Sequence, residues 1–519
     1  MALGTLSTNA KDYTCPLTIN MMGMDMPVGN INVTVDEQEN GKYTLKLTNF
    51  DMAGAMPVGN IVVEDVEPTV CGNTIVLNAQ KTIQITAGDK KDADGNDQEW
   101  MGPALGDVSI LLKAQMKGDD LKALLNIPVA GSMIVNVKLG DNTDSMCQLP
   151  NSGFEAFHTA TYGKYTSDEP NGWHTFMSAT GDWKSSVAGV THTWISDDVR
   201  KDADENNKQS VKIASSAVKF FGVPIASANG TITTGRLQAG STTAENPKNC
   251  SFLDFSHSDL DGNGDPFYTI LNNKPDSLKA WVKFHAGKDN KNPTATISAL
   301  LTTGEYAQDP DDGTHTANII AKANTDAIAS TDEWQQITLP FVYSNTEAMP
   351  KAALVTMSTC AVPSGGSMSD SDPDILYVDD VELIYNAGIK SIKFNGEDIT
   401  NEFDEDGNLE NNDYDKTLSL DDFVVEADGA GAFITKKITS DDSNTYVTLT
   451  VTSNDLSEAV VRTLTFKNVS TGIKNASVTT ATGVQAIYNL AGQQVSSMTS
   501  GNVYIVKTTD GKTKKVIKK

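Results

Sequence analysis

Three observations predict an all-β chain. Apolar and polar residues alternate strictly in several stretches, as where Tyr43, Leu45 and Leu47 are separated by Thr44 and Lys46. That is the period-two signature of a half-buried antiparallel strand. It recurs at Val135-Val137-Leu139 and, with threonines between, at Val447-Leu449-Val451. Asn-Gly, Asp-Gly and Gly-Asp pairs punctuate the runs with hairpin turn chemistry. Helical periodicity is nearly absent, and its best candidate is a short turn around Leu121 to Leu125.

The first region, about residues 10 to 147, holds a small internal repeat. Pro27-Val28-Gly29-Asn30-Ile31 returns as Pro57-Val58-Gly59-Asn60-Ile61, each time opening a strand, with the Asn40-Gly41 turn and a Tyr43–Phe50 strand between. Short, evenly spaced strands of this kind suggest a meander closing into a small barrel. The order of these strands resembles the calycin-like barrel domain of secreted gut Bacteroidetes proteins. That resemblance implies a barrel that could hold a small ligand, although small barrels are commonly filled by their own side chains.

The second region, about 148 to 386, is bracketed by two segments. It opens with Leu149-Pro150-Asn151-Ser152-Gly153-Phe154-Glu155 and Pro170-Asn171-Gly172-Trp173, and closes with Tyr377-Val378-Asp379-Asp380-Val381-Glu382-Leu383-Ile384-Tyr385. Opening and closing strands of this type bracket the jelly-rolls of many carbohydrate-binding modules. Between them come Asn229-Gly230, Asp265-Pro266-Phe267, the Leu278–Phe284 strand and the Trp334–Phe341 strand. The whole series resembles the family named "putative carbohydrate metabolism domain" of Bacteroidetes surface proteins, which implies a jelly-roll and a glycan ligand.

The third region, about 387 to 469, alternates strands at 389–394, 423–426 and 446–452 around an acidic stretch, Glu402–Asp415. It resembles an immunoglobulin-like sandwich, a common spacer. A Ser/Thr/Gly-rich linker, 470–483, follows. From Gly501 onward the charge reverses, with six lysines against Asp510, and Asp510-Gly511 separates two short strands. Tyr488-Asn489-Leu490-Ala491-Gly492, followed by Gly501 and Tyr504-Ile505-Val506-Lys507, resembles the C-terminal sorting domain of the type IX secretion pathway. Asn502 stands where that family usually places isoleucine or valine followed by tyrosine, and a plain stabilising sandwich is the alternative.

At 519 residues the chain is too long for one core and calls for three or four domains. An apolar fraction of 39% suffices for globular cores, and no apolar run approaches the roughly 18 residues of a membrane span. A net charge of −27 would repel a phosphate backbone, so nucleic acid is not an expected partner. Cys15, Cys71, Cys147, Cys250 and Cys360 lie far apart without zinc spacing and read as buried free thiols. The first residues carry no signal-peptide pattern. Either a leader was removed or the protein is cytosolic, and the C-terminal resemblance favours export to the medium or the outer cell surface.

Sugars are bound by stacking on exposed aromatic planes, with amides and carboxylates bonding the hydroxyls. Trp183 stands in the polar, turn-like Thr180–Ser185 loop. It is the first expected glycan contact, followed by Trp194, Tyr162 and Tyr165. Trp281 and Trp334, in alternating strands, are expected in the core, and Trp173 is expected to be structural. Jelly-roll sugar binders often hold a structural calcium ion between acids of the first and last strands, and Glu155 and Asp379 occupy the matching positions. Asp379 shares parity with Val381 and Leu383, so it should point inward, where a metal, a hydrogen bond or protonation must relieve it. Asp259–Asp265 begins like an EF-hand loop, but Ile270 replaces the bidentate glutamate, so an acidic surface turn is the better reading.

No catalytic constellation stands out. The six histidines form no zinc-protease motif, and nucleophile-elbow and phosphate-loop patterns are missing. Among 67 acids, some pair will always fit a glycosidase. The sequence therefore favours non-catalytic carbohydrate binding to a polysaccharide or other glycan. The alternatives are a glycan hydrolase and a structural adhesin with surface-protein partners.

Overall fold

The computed structural model describes residues 9–467 and 484–518, apart from 22, 53–55, 92–93, 131–132, 191, 204–205, 260–262, 412–416, 490–493, 496 and 509–512. Two compact units make up the chain. One comprises Met1–Leu409, Ser419–Lys437 and Val447–Thr463; the other comprises Glu410–Leu418, Ile438–Tyr446 and Leu464–Lys519. The architecture is all-β.

Nine strands form the first sheet: β1 (Ala10–Met21), β2 (Met24–Glu37), β3 (Tyr43–Met52), β4 (Met56–Val66), β5 (Pro68–Cys71), β6 (Thr74–Gln84), β7 (Asp107–Lys117), β8 (Asp120–Ala130) and β9 (Met133–Leu139). Their order is β4-β3-β2-β1-β9-β8-β7-β6-β5. The sheet nearly closes where the Asn60 amide donates to Thr86 O at 2.8 Å and the Thr86 amide to Asn60 O at 3.2 Å. Alternate side chains fill the interior, with Leu45, Leu47, Ile61, Val63 and Val137 fully buried.

The Pro-Val-Gly-Asn-Ile repeat marks two equivalent irregularities. The β1–β2 register slips where Leu17 faces Gly29 and Thr18 faces Pro27. The β3–β4 register slips where Phe50 faces Gly59 and Asp51 faces Pro57. Gly29 and Gly59 sit there at φ 116° and 122°, backbone that L side chains rarely adopt. Each copy lies in the opening half of its strand, as expected, and also kinks it.

Leu121 to Leu125, expected as a helical turn, lies within β8. Leu125 packs into the barrel, whereas Leu124 and Leu111 of β7 join the core of the next region. Beside them Lys113 is buried, its Nζ donating to Asn273 Oδ1 at 2.5 Å, and desolvation lowers its pKa.

That next region is a sandwich. One sheet runs, all antiparallel, through Thr193–Ser196, Ser210–Ala214, Ile375–Ile384, Ser277–His285 and Gln335–Pro340. The other runs through Thr231–Thr233, Ala352–Ser358, Thr294–Thr302, Ile319–Ala329 and Val342–Tyr343, with Thr269–Ile270 on its flank. Val211, Val282, Phe284 and Val378 of the first sheet and Ile297, Val355 and Met357 of the second share one core. The 149–155 segment, expected as the opening strand, is a turn. It is tied to the closing strand by the Val381 amide donating to Ser152 O at 2.8 Å and by Gln148, which bonds both the amide and the carbonyl of Leu383. Trp173 is fully buried, its ring 5.3 Å from Phe154 and its Nε1 donating to Pro150 O.

Beyond it, Ile389–Phe394 pairs with Glu397–Asp398 and Phe423–Ala427. In the second unit Asn502–Thr508 pairs with Val484–Asn489 and Thr513–Lys518. The 470–483 linker, the Asp510-Gly511 turn and Leu490–Gly492 lie outside the described residues. All five cysteines are buried and free.

Candidate functional site

Alternation divides the Ser277–His285 strand cleanly. Leu278, Ala280, Val282 and Phe284 face the core, leaving Lys279, Trp281 and Lys283 on the outer face. Register extends that face across all five strands. Lys212 lies opposite both Trp194 and Tyr377, and Tyr377 lies opposite Lys283. Val282 faces Gln335, which brings Trp334 beside Lys283. The result is a transverse row, Trp194–Lys212–Tyr377–Lys283–Trp334, in which partly exposed rings alternate with ammonium groups. Four strand spacings of about 4.8 Å make it roughly 19 Å long.

Cation–π contacts run along the row. Lys212 Nζ is 5.3 Å from the centre of Trp194, and Lys283 Nζ is 4.7 Å from Tyr377 and 5.7 Å from Trp334. Asp198 fixes one end, its Oδ1 accepting from Trp334 Nε1 at 3.1 Å and its Oδ2 pairing with Lys283.

A bulge interrupts the closing strand beside this row. Lys279 pairs with Glu382 but Trp281 with Asp379, so Asp380 is the extra residue, at φ 44°. Parity therefore switches there. Asp379 shares the outer face with Trp281 instead of the core face with Val381, and it is buried beside the loop that carries Arg200 and Asn207. Arg200 of that loop lies 5.1 Å over Trp281, pairs with Asp380, and holds Nη1 3.8 Å from Asp379 Oδ2. Asn207 Nδ2 donates to Asp380 Oδ2 at 3.0 Å. Burial, aided by the neighbouring Asp380 charge, pushes the Asp379 carboxyl up to about 7.

Glu155 is exposed, and its Oε1 accepts from the amides of Lys208 at 2.7 Å and Gln209 at 3.0 Å. Both expected calcium ligands thus grip the same loop. Glu155 holds its backbone, and Asp379 lies beside a guanidinium that repels a divalent cation. The donor set fits an arginine better than calcium. Melting temperature is expected to be the same in calcium and in chelator; a calcium-dependent rise would restore the ion.

The other expected sugar contacts lie elsewhere. Trp183 is 47% exposed at the start of the short Lys184–Val187 helix, and Tyr165 is 42% exposed. Tyr162 and Tyr165 face each other across the Gly163-Lys164 turn of a hairpin, Phe157–Tyr162 with Tyr165–Pro170. Ser167 of that hairpin bonds Thr193, at the edge of the five-stranded sheet. Among the described residues no ring contact or hydrogen bond joins Trp183, Tyr162 or Tyr165 to the row. Only Trp194 of the expected four stands in it. Trp281 and Trp334, expected in the core, are on the outer face instead. Lysines two residues either side of Trp281 were the available signal, since that parity must face water.

The acidic turn is also not a surface feature throughout. Asp259 is buried, with Oδ2 2.8 Å from His174 Nδ1, while Pro266 O accepts from His174 Nε2 at 3.1 Å. Glu169 completes the cluster, with one ligand-type atom from each residue within 4.8 Å of the others. Burial works against charge on His174, but the Asp259 hydrogen bond and the Glu169 charge outweigh it and raise its pKa. The Pro266 carbonyl fixes a proton on Nε2, and Nδ1 is taken up by the contact with Asp259. Residues 260–262 of this turn lie outside the described ones.

Residues 10–140 match the calycin-like β-barrel domain family. No curated protein matches the chain. Among solved structures, a "putative glycoside hydrolase" from Bacteroides vulgatus is 16% identical over 45% of this chain and 96% of its own, with a TM-score of 0.29. One of the same description from Bacteroides thetaiotaomicron is 12% identical over 74% and 99%, also at 0.29. Carbohydrate-binding modules of the β-sandwich superfamily are 10% identical over 73% and 100%, at 0.21. Likeness at this level carries no information about what the outer face binds. No helix among the described residues is long and apolar enough to cross a membrane.

Proposed function

We propose that the protein is a secreted or surface-displayed, non-catalytic carbohydrate-binding protein. The row on the outer face of the five-stranded sheet is its glycan platform, and the flanking regions are barrel and immunoglobulin-like spacers. The observation that supports this reading is Trp194, Tyr377 and Trp334 in one partly exposed line on a rigid sheet, with polar heads between them. Rigid strands hold such rings at little entropic cost on binding. Asp379 has an acid's raised pKa, yet it is fully buried beside Arg200 and Asp380.

A glycan array probed with the full chain tests the proposal. Tyr377→Ala or Trp334→Ala is expected to weaken the retained glycan about five- to tenfold, the 1–1.5 kcal/mol scale of one aromatic contact. Trp183→Ala should match wild type. Loss only with Trp183→Ala would move the site to the loop. If no glycan is retained, a contact role takes precedence, for which the exposed Phe220, Phe221, Val223 and Ile225 of one hairpin already speak.

A further inference from the structure

We infer that the glycan taken by this row is acidic, carrying carboxylate or sulfate groups; the inference rests on the platform reading above. Polar chemistry between the rings of the row is one-sided. A neutral sugar presents hydroxyls that both donate and accept, so a site built for it supplies acceptors as well as donors. Here the groups between the rings are two ammonium heads, which only donate. The carboxylate at the row, Asp198, has both oxygens engaged, one by Trp334 Nε1 and one by Lys283.

Lys212 has no ion-pair partner among the described residues; its Nζ sits over Trp194, and its strand runs between those of Trp194 and Tyr377. Lys283 gives Asp198 one of its three N–H groups. Arg200 adds a third cation beside the row, held by Asp380. Such a concentration of cations stands out on a chain of net charge −27, whose overall field opposes a polyanion. The complementary ligand stacks its C–H faces on the rings and places anionic oxygens on the lysines, where charge-assisted hydrogen bonds are strongest. Two strand spacings, about 9.6 Å, separate Lys212 from Lys283 along the row. That places the two cations about one disaccharide apart, so the anionic groups should recur on alternate sugars.

Matched pairs test this on the full chain: polygalacturonate against its methyl ester, and chondroitin sulfate against desulfated, carboxyl-reduced chondroitin. The acidic member of at least one pair should bind about tenfold tighter than its uncharged match. The margin should close in ~1 M salt, where the screening length falls to about 3 Å. Lys212→Gln should bring the charged-to-uncharged ratio near unity, whereas Lys291→Gln, an exposed position off the row, should leave it intact. Equal affinities for charged and uncharged members overturn the inference and leave the platform reading standing. So does a margin that survives both salt and Lys212→Gln. Failure to bind any glycan, on the array or in these pairs, removes both.

Discussion

Gly59→Ala is expected to open the barrel, while Gly29→Ala, its counterpart in the internal repeat, leaves it closed. Both glycines hold a left-handed backbone that costs a side chain about 1–3 kcal/mol. They differ in what a Cβ would meet. At Gly59 it would lie 2.2 Å from Thr86 O, the carbonyl that receives the Asn60 amide and closes the sheet. At Gly29 nothing lies within 4 Å. Backbone must therefore move in one variant only, adding about 1–3 kcal/mol of overpacking and breaking the closing pair. Hydrogen exchange of the Asn60 and Thr86 amides, with urea unfolding, measures both effects. Equal destabilisation, or protected amides in Gly59→Ala, would show that closure does not depend on this approach.

Asp379→Asn should stabilise the protein in alkaline solution and leave it unchanged in acid. An unfolded aspartate titrates near 3.9, whereas the folded group is pushed up to about 7. Between those values the native state holds a proton that the unfolded chain releases. Its contribution to stability is complete below about pH 4 and is lost as pH rises through about 7. A shift of this size bounds the loss at about 4 kcal/mol. Asparagine mimics the protonated acid, keeps an oxygen for the Asp380 amide now bonded at 2.8 Å, and leaves Arg200 paired with Asp380. Wild type should lose stability between pH 5 and pH 8 and the variant much less. Parallel profiles would mean that Asp379 is ionised in the fold, relieved by Arg200 or by an ion.

Periodicity made the strands legible, and the region matching the calycin-like family was visible in the same residues. The exceptions have physical causes. Leu121 to Leu125 read as helical because a strand buried on both faces loses its alternation; Leu125 faces the barrel while Leu124 faces the sandwich. The repeat was plain, but that it encodes bulges depends on partner strands at positions 17–18 and 50–51. Asp379 was correctly placed out of solvent for a different reason. Parity assumed a regular strand, and the extra residue Asp380 turns the side chain to the other face. Of the row, only Trp194 could be suspected. Its other members come from strands up to about 180 residues apart, and register alone brings them together.

The outer surface of β7 and β8 is not finished on its own terms. Leu111, Leu124 and Lys113 complete a wall that belongs to the neighbouring sandwich as much as to the barrel. A protease cutting the 140–156 connection would therefore leave two fragments clinging together. The barrel could not be moved into another protein as an interchangeable cassette without carrying a greasy stripe and a stranded ammonium in search of a new lodging.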